Sequence, residues 1–439
     1  MRITVIGCGY LGATHAACMA ELGHEVLGVE IDDAKRVALT AGRAPFHEPG
    51  LDTLLATHVG TGRLRFTDSF AEAGDFGDLH FLCVGTPQSA VGLGADLSAV
   101  VDAVESLAAQ LTRPTLLVGK STVPVGTASR LAERMAELAP VGAGAELAWN
   151  PEFLREGFGI EDTLHPDRIV LGVASERSEQ VLRSFYADAI TGGTPVVVTD
   201  FATAELAKVA ANAFLATKIS FINAIAEVCE AAGADVVDLA DAMGHDRRIG
   251  RAFLNAGVGF GGGCLPKDIR AFLHRAGELG VDDAMSFLKQ VDDINQRRRA
   301  QLVQTATELL DGTLAGKRVC VWGAAFKPGS DDVRDSPALW IAGQLQLGGA
   351  KVVVYDPQAA HTARQVYPTL EYAGSSIEAA RGADLILHLT EWQEFRELDP
   401  AEVGAAVTRR ILLDGRNVLD APAWRTAGWT IRGIGRRPA

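Results

Sequence analysis

The chain has 439 residues, 48% of them hydrophobic and 22% charged, with a formal net charge of -14. That length exceeds one ordinary core and predicts roughly three domains of a soluble globular protein. The acidic balance excludes nucleic acid and anionic membranes as partners, because no basic surplus exists to neutralise phosphates; local sites for small anions remain open.

In chain order, Met1-Arg2 runs straight into the strand-like "ITVIG", with no signal peptide, and no uncharged apolar run reaches membrane-spanning length. A cytoplasmic protein is expected. "VIGCGYLG" sets Gly7, Gly9 and Gly12 in G-x-G-x-x-G spacing between a strand and a helix, where backbone amides can reach a pyrophosphate. The next strand ends "GVE", so Glu30 falls roughly 20 residues on, where a carboxylate accepts ribose hydroxyls and repels a 2′-phosphate, favouring NAD over NADP. "RITVIG", "EVLGVE", "LHFLCVG", "TLLVGKS" and "AELAWNPE" alternate with alanine-rich helical stretches, the pattern of a parallel sheet with crossover helices. Residues 1–200 are expected to form a doubly wound α/β, Rossmann-like NAD-binding domain.

From Thr203 to about Gly233 no proline intervenes and apolar residues recur at three and four spacing, among them Leu206, Val209, Ala213 and Val228. One long helix is predicted there, opening a central helical region at 201–310. "VGFGGGCLPKD" at 258–268 crowds glycines around Cys264, which predicts a loop shaped for close approach; the cysteine is either a nucleophile or a small buried hydrophobe. Past Gly312 to Gly316, "KRVCVWGAAF", "ALWIAGQLQLGG", "KVVVYDP" and "ADLILHLT" repeat the strand, helix, strand logic, so 311–439 reads as a second Rossmann-like domain. The ending "RGIGRRPA" reads as a solvated tail. Cys8, Cys18, Cys83, Cys229, Cys264 and Cys320 lack metal-site spacing, and neither a metal nor a disulfide is expected.

Four further stretches stand out: "GKSTVPVGT" at 119–127, "NPEFLREG" at 150–157, "AELAKVAANAF" at 204–214 and "FKPGSDDVRDSP" at 326–337. With the glycine fingerprint and the cysteine loop they resemble the UDP-glucose/GDP-mannose dehydrogenase family, in order and across nearly the whole chain. The resemblance implies a four-electron oxidation of a sugar nucleotide's primary alcohol to a carboxylate, through aldehyde, thiohemiacetal and a thioester on Cys264, using two NAD in succession. It implies Lys208 as the oxyanion stabiliser with Asn212 one turn on, Asp268 as the residue that binds water or accepts a proton with Lys208, Glu152 as general base, and Thr122 as the group positioning water. Read alone, Lys208 is a solvated helix lysine and Asp268 an N-cap for the helix beginning "IRAFLHRA". Glu152 and Glu156 share one face if their segment is helical.

For the cofactor, the resemblance adds Tyr10, Leu11, Lys35, Thr86, Thr122, Glu156, Lys267 and Arg334 to the glycines and Glu30. For the nucleotide sugar it implies Glu152, Phe153, Leu154, Lys208, Asn212, Arg248, Phe260, Gly261, Lys327 and Arg416. The glycines would give the sugar room to reach the sulfur. It further implies a site between domains and a homodimer or higher homo-oligomer through the long helix, with Arg248 reaching a neighbouring subunit. Gly263 stands where the N-acetylhexosamine branch usually carries histidine, which favours the UDP-glucose branch; GDP-mannose or TDP-glucose as substrate remains open. A two-electron 3-hydroxyacid-type dehydrogenase and a catalytically silent scaffold are the readings from other classes.

Overall fold

The computed structural model describes residues 1–437; the final two residues of the "RGIGRRPA" ending lie outside the described residues. The chain divides into two compact units, residues 1–211 with 270–280, and residues 212–269 with everything from 281 onward. Each is built on a largely parallel sheet, and a long central helix, Phe201–Ala232, joins them.

The first unit carries an eight-stranded sheet. Its strands are β1 (Arg2–Ile6), β2 (Glu25–Val29), β3 (Leu64–Thr67), β4 (Leu79–Leu82), β5 (Thr115–Gly119), β6 (Ala145–Trp149), β7 (Ile169–Gly172) and β8 (Val196–Thr199), in the order 3-2-1-4-5-6-7-8. The pairing of β6 with β7 is antiparallel, and the other ladders are parallel. β1, β2, β4 and β5 are near-continuous apolar runs because helices cover both faces of the sheet. The first helix, Tyr10–Glu21, is buried from Gly12 to Ala20 and so lacks an amphipathic stripe.

The second unit carries a six-stranded parallel sheet. Its strands are β9 (Arg318–Trp322), β10 (Lys351–Tyr355), β11 (Glu371–Tyr372), β12 (Leu385–His388), β13 (Ile411–Asp414) and β14 (Thr430–Gly433), in the order 11-10-9-12-13-14. Helices Phe287–Leu309 and Pro337–Leu347 contribute Leu302, Ala306, Leu339, Ile341 and Leu345 to its core.

The expected single long helix is present, with Val209 and Ala213 buried on it and Leu206 and Val228 exposed. By length and composition this helix could cross a membrane, although no uncharged run of that length exists; Glu205, Lys208, Asn212 and Asn223 buried along it mark it as a helix of a protein core. The ending is no solvated tail: Ile434 is buried, Gly435 N–H donates to Glu230 and accepts from Val236 N–H through its carbonyl, and Arg436 pairs with Asp235 at 3.1 Å.

Candidate active site

In the first unit, the turn after β1 has the three glycines in three distinct positions. Gly7 sits at φ +83°, and a Cβ on Gly12 would lie 1.9 Å from the Gly7 carbonyl oxygen, so only glycine lets the helix close onto the strand. A Cβ on Gly9 would meet nothing within 4 Å, leaving open space over the N-terminus of the Tyr10–Glu21 helix, where no side chain caps the free N–H groups. Glu30 follows β2, is 7% exposed, and accepts the Cys8 and Asp32 amides with one oxygen each. This arrangement fits the pyrophosphate and adenosine ribose of NAD. Leu11 is half-buried beside it, and exposed Lys35 gives its amide to the helix-capping Asp32. The Tyr10 hydroxyl donates to Glu48 and accepts from Gly157 N–H, and burial with Glu48 beside it pushes the phenol well above its ordinary range.

At the carboxyl ends of β4 and β5, Thr86 donates its hydroxyl to the Thr122 carbonyl at 2.8 Å. Beyond β6, the segment 151–157 is not helical, so Glu152 and Glu156 do not share a helix face. Pro151 and the bond from Leu154 N–H to Glu152 (2.7 Å) turn the chain instead. The other Glu152 oxygen pairs with Lys208 Nζ at 2.9 Å. Lys208 is 5% exposed, which removes the solvated-lysine reading. The Phe153 ring lies near two cations, with Arg168 at 3.7 Å and Lys208 at 5.6 Å from its centre.

In the second unit, Cys264 is exposed and immediately precedes the helix Leu265–Glu278, which removes the buried-hydrophobe reading. Asp268 lies in the first turn of that helix rather than at its N-cap, and its amide bonds the Cys264 carbonyl at 2.9 Å. Its carboxylate is buried, takes the Asn212 amide at 2.6 Å and pairs with Lys267 at 2.7 Å. Asn212 and Lys208, one turn apart on the long helix, are both buried.

The loop glycines pack against the chain itself rather than leaving room. A Cβ on Gly261 would fall 2.4 Å from the Asp335 carbonyl, one on Gly262 would hit the Phe326 ring at 2.8 Å, and one on Gly263 would hit the Arg334 guanidinium at 2.3 Å. The close approach is by segment 326–337, and the Gly262 amide bonds the Arg334 carbonyl. Arg334 itself forks onto Asp332. Phe260 is buried, its amide and carbonyl clamped by Asn295, with Arg299 joining the same carbonyl to Asp335. Arg416 bonds the carbonyls of Leu389 and Phe326, which brings it beside Lys327. Arg248 is not gathered in: its side chain is 89% exposed and forks onto Asp246.

Sequence reasoning did not find Glu48, which accepts the Gly157 and Gly159 amides, nor Glu205, whose carboxylate takes the Gly126 and Ala128 amides at the start of the helix after Thr122. It also missed Asn295 and Arg299. Glu48 lies in "FHEPGL", a turn-rich stretch that could have drawn notice; the others sit inside ordinary helical patterns and leave no local signal. Among the described residues no cluster of metal-ligating side chains occurs.

Comparison with known proteins agrees with this geometry. Residues 1–190 match the NAD binding domain of the UDP-glucose/GDP-mannose dehydrogenase family, 202–297 its central domain and 320–421 its UDP binding domain. A UDP-glucose 6-dehydrogenase of Rhizobium meliloti (strain 1021) is 41% identical over 438 residues, covering 99% of this chain and 100% of that one. A solved UDP-glucose dehydrogenase from Pyrobaculum islandicum is similar with a TM-score of 0.91 at 37% identity, covering 99% and 98% of the two chains. A UDP-D-ManNAc dehydrogenase from Pyrococcus horikoshii follows at 0.86 and 28%, covering both chains fully. The chain is therefore an NAD-dependent dehydrogenase and belongs to the UDP-glucose/GDP-mannose dehydrogenase family.

Proposed function

We propose that the enzyme oxidises the primary alcohol of UDP-glucose to the carboxylate of UDP-glucuronate, with Cys264 as the covalent nucleophile. The carrying observation is the exposed Cys264 thiol at the head of a helix whose first turn holds the buried Asp268 carboxylate, bonded by Asn212 of the long helix and paired with Lys267. UDP-glucose as substrate is supported by the full-length relatives of that name. When bound, NAD supplies the hydride acceptor for both oxidations. After the first, the Cys264 sulfur adds to the aldehyde carbon and gives a thiohemiacetal, with the oxygen protonated. Loss of hydride and of that proton yields the thioester. Water then attacks the thioester carbon, the C–S bond breaks, and the thiolate departs with its electron pair. Glu152 takes the proton from water, and Lys208, held by Glu152, stabilises oxyanions.

The division of labour follows: 1–200 holds NAD, 201–310 supplies the cysteine loop and the dimer helix, and 311–439 holds the nucleotide. Lys327 and Arg416 are assigned to the nucleotide sugar. The chain works in the cytoplasm as a homodimer. Exposed Phe214, Phe221 and Val228, seven residues apart on the long helix, supply a self-complementary apolar stripe.

NADH released per UDP-glucose, run to completion, tests the reading, with TDP- and GDP-linked sugars in parallel and Cys264→Ser alongside. Two NADH per sugar, and a variant stalled before acid release, are expected. One NADH per sugar, or a variant that makes acid freely, sinks the covalent mechanism; turnover on another nucleotide alone moves the substrate.

A further inference from the structure

A buried cation lies in the first unit outside the groups assigned above. Lys120, the first residue past β5, is 7% exposed. Its ammonium meets Asn150 Oδ1 at 3.0 Å, the Asn150 carbonyl at 3.5 Å and the Tyr186 hydroxyl at 3.5 Å. All three partners are neutral oxygens. Burying an ammonium without a carboxylate costs several kcal/mol relative to an apolar side chain of the same length. Stability therefore does not account for the charge.

Asn150 is where that charge is applied. It is the first residue past β6, its amide bonds the Gly119 carbonyl, its side-chain N–H bonds the Val170 carbonyl of β7, and its Oδ1 also accepts from Tyr186 at 2.6 Å. Pro151 and Glu152 follow directly. Lys120, Asn150, Tyr186 and Glu152 line one cavity of roughly 60 Å³, room for a few waters. His15 lines it too, its Nε2 buried without a partner and its pKa pushed well down by burial and then by Lys120. The buried Cys83 thiol, pushed up to about 12 by burial, is drawn down by Lys120 and up by Glu152, so both charges bear on one point.

We propose that Lys120 is a positioning residue for thioester hydrolysis: through Asn150 it fixes the Pro151–Glu152 turn and so holds the Glu152 carboxylate where it accepts the proton of water. This rests on the role of Glu152 given under the proposed function. The other charges facing Glu152 are Lys208, in direct contact, and Arg168, Asp162 and Asp167 around the cavity. Those remain in place when Lys120 is changed.

The test uses the full-length enzyme with UDP-glucose and NAD, comparing wild type with K120M, K120Q, K120R and Y186F. Steady-state kcat and KM are followed, and the covalent adduct on Cys264 is read by intact mass after quenching. Removing the charge is expected to lower kcat by roughly thirtyfold, a part of the ~100-fold or more that general-base catalysis supplies. The adduct on Cys264 should accumulate, because hydrolysis is the step that the Glu152 turn serves. KM for NAD should stay within about twofold. K120R should restore most of the rate and clear the adduct, and Y186F, which keeps the ammonium on Asn150, should leave both near wild type. K120Q carries the same expectation should K120M not fold. A neutral variant with no adduct, whatever its Tm, overturns the proposal and leaves Lys120 a structural brace. A wild type that yields one NADH and no adduct overturns the parent reading instead, and this proposal with it.

Discussion

The two sheets are variations on one plan, and they differ at the loop where such sheets bind ligands. Gly7 after β1 and Gly323 after β9 both have positive φ, and each donates its amide to the end of the next strand, at Val29 and Tyr355. Each second strand is followed by a buried acid, Glu30 or Asp356. In the first unit only residues 7–9 separate strand from helix, and Glu30 receives two amides. In the second, residues 323–336 intervene, and Asp356 receives the amides of Ala324, Ala325, Gln358 and Ala359 and the indole N–H of Trp392. A carboxylate offers about four lone-pair sites. Glu30 keeps capacity for a ribose; Asp356 has none left. Topology supplies the crevice, and the loop decides how its acid is used: Glu30 keeps lone pairs for a ligand, whereas Asp356 is spent on the chain's own N–H groups and the longer loop walls the cysteine loop.

The sharpest way to break this comparison is Gly12→Ala. Its Cβ would overlap a backbone oxygen, so the variant should lose more than about 3 kcal/mol and all measurable NAD binding. Gly9→Ala, with open space around the new methyl, should keep the wild-type Tm and lose only NAD affinity. A folded Gly12→Ala that binds NAD normally would remove the packing argument. Next comes Asp356→Asn, where an amide must face buried donors: about 3 kcal/mol of stability should go, with KM for NAD unchanged. A changed KM would show that the second acid is not purely structural.

How much of this could be read in advance follows from the range of the interactions. β1, β2, β4, β5, β6, β9, β10 and β12 were legible as apolar runs ending near glycine or polar residues. β3 and β8 were not, being four residues long and partly exposed, nor was the two-residue β11. The strand-turn-helix placement of Gly7, Gly9 and Gly12 and the position of Glu30 after β2 were legible because short spacing fixes them, and the loop around Cys264 because of its glycines. The Lys208–Glu152 pair, the Arg299 clamp on Phe260 and the Glu205 cap join residues far apart in sequence, and periodicity carries no trace of them. Glycine density around Cys264 was read correctly as close approach, but what approaches is segment 326–337, which only the fold brings there.

The units should also part company in acid. Burial, with Arg113 adding to it, pushes His80 of β4 down to about 4, so between pH 6.5 and 4 the unfolded state binds the extra proton and native stability falls, by at most about 3 kcal/mol. In β12 of the second unit, His388 instead pairs with Asp414 at 2.8 Å. Burial alone would raise the Asp414 carboxyl, but His388 and the loop amides outweigh it and hold the group below its ordinary value. That stability is present above pH about 4 and goes only below it. Peptide-resolved hydrogen exchange should show β4 losing protection before β12 and β13 as pH falls from 6.5, and His80→Gln should flatten the early loss. Simultaneous loss in both sheets would mean that His80 does not govern the acid response.

The smallest effect decides the most about the comparison. Glu30→Gln keeps the side chain's length but can accept only one of the Cys8 and Asp32 amides through its carbonyl, and it carries no charge to repel a 2′-phosphate. KM for NAD should rise about tenfold, near 1.4 kcal/mol, while the ratio of NADP to NAD activity rises with it. Lower stability with an unchanged cofactor ratio would make Glu30 a structural acid like Asp356. A changed ratio at nearly unchanged Tm would make it the acid that faces the ribose, and would locate the difference between the two sheets in one carboxylate's unused lone pairs.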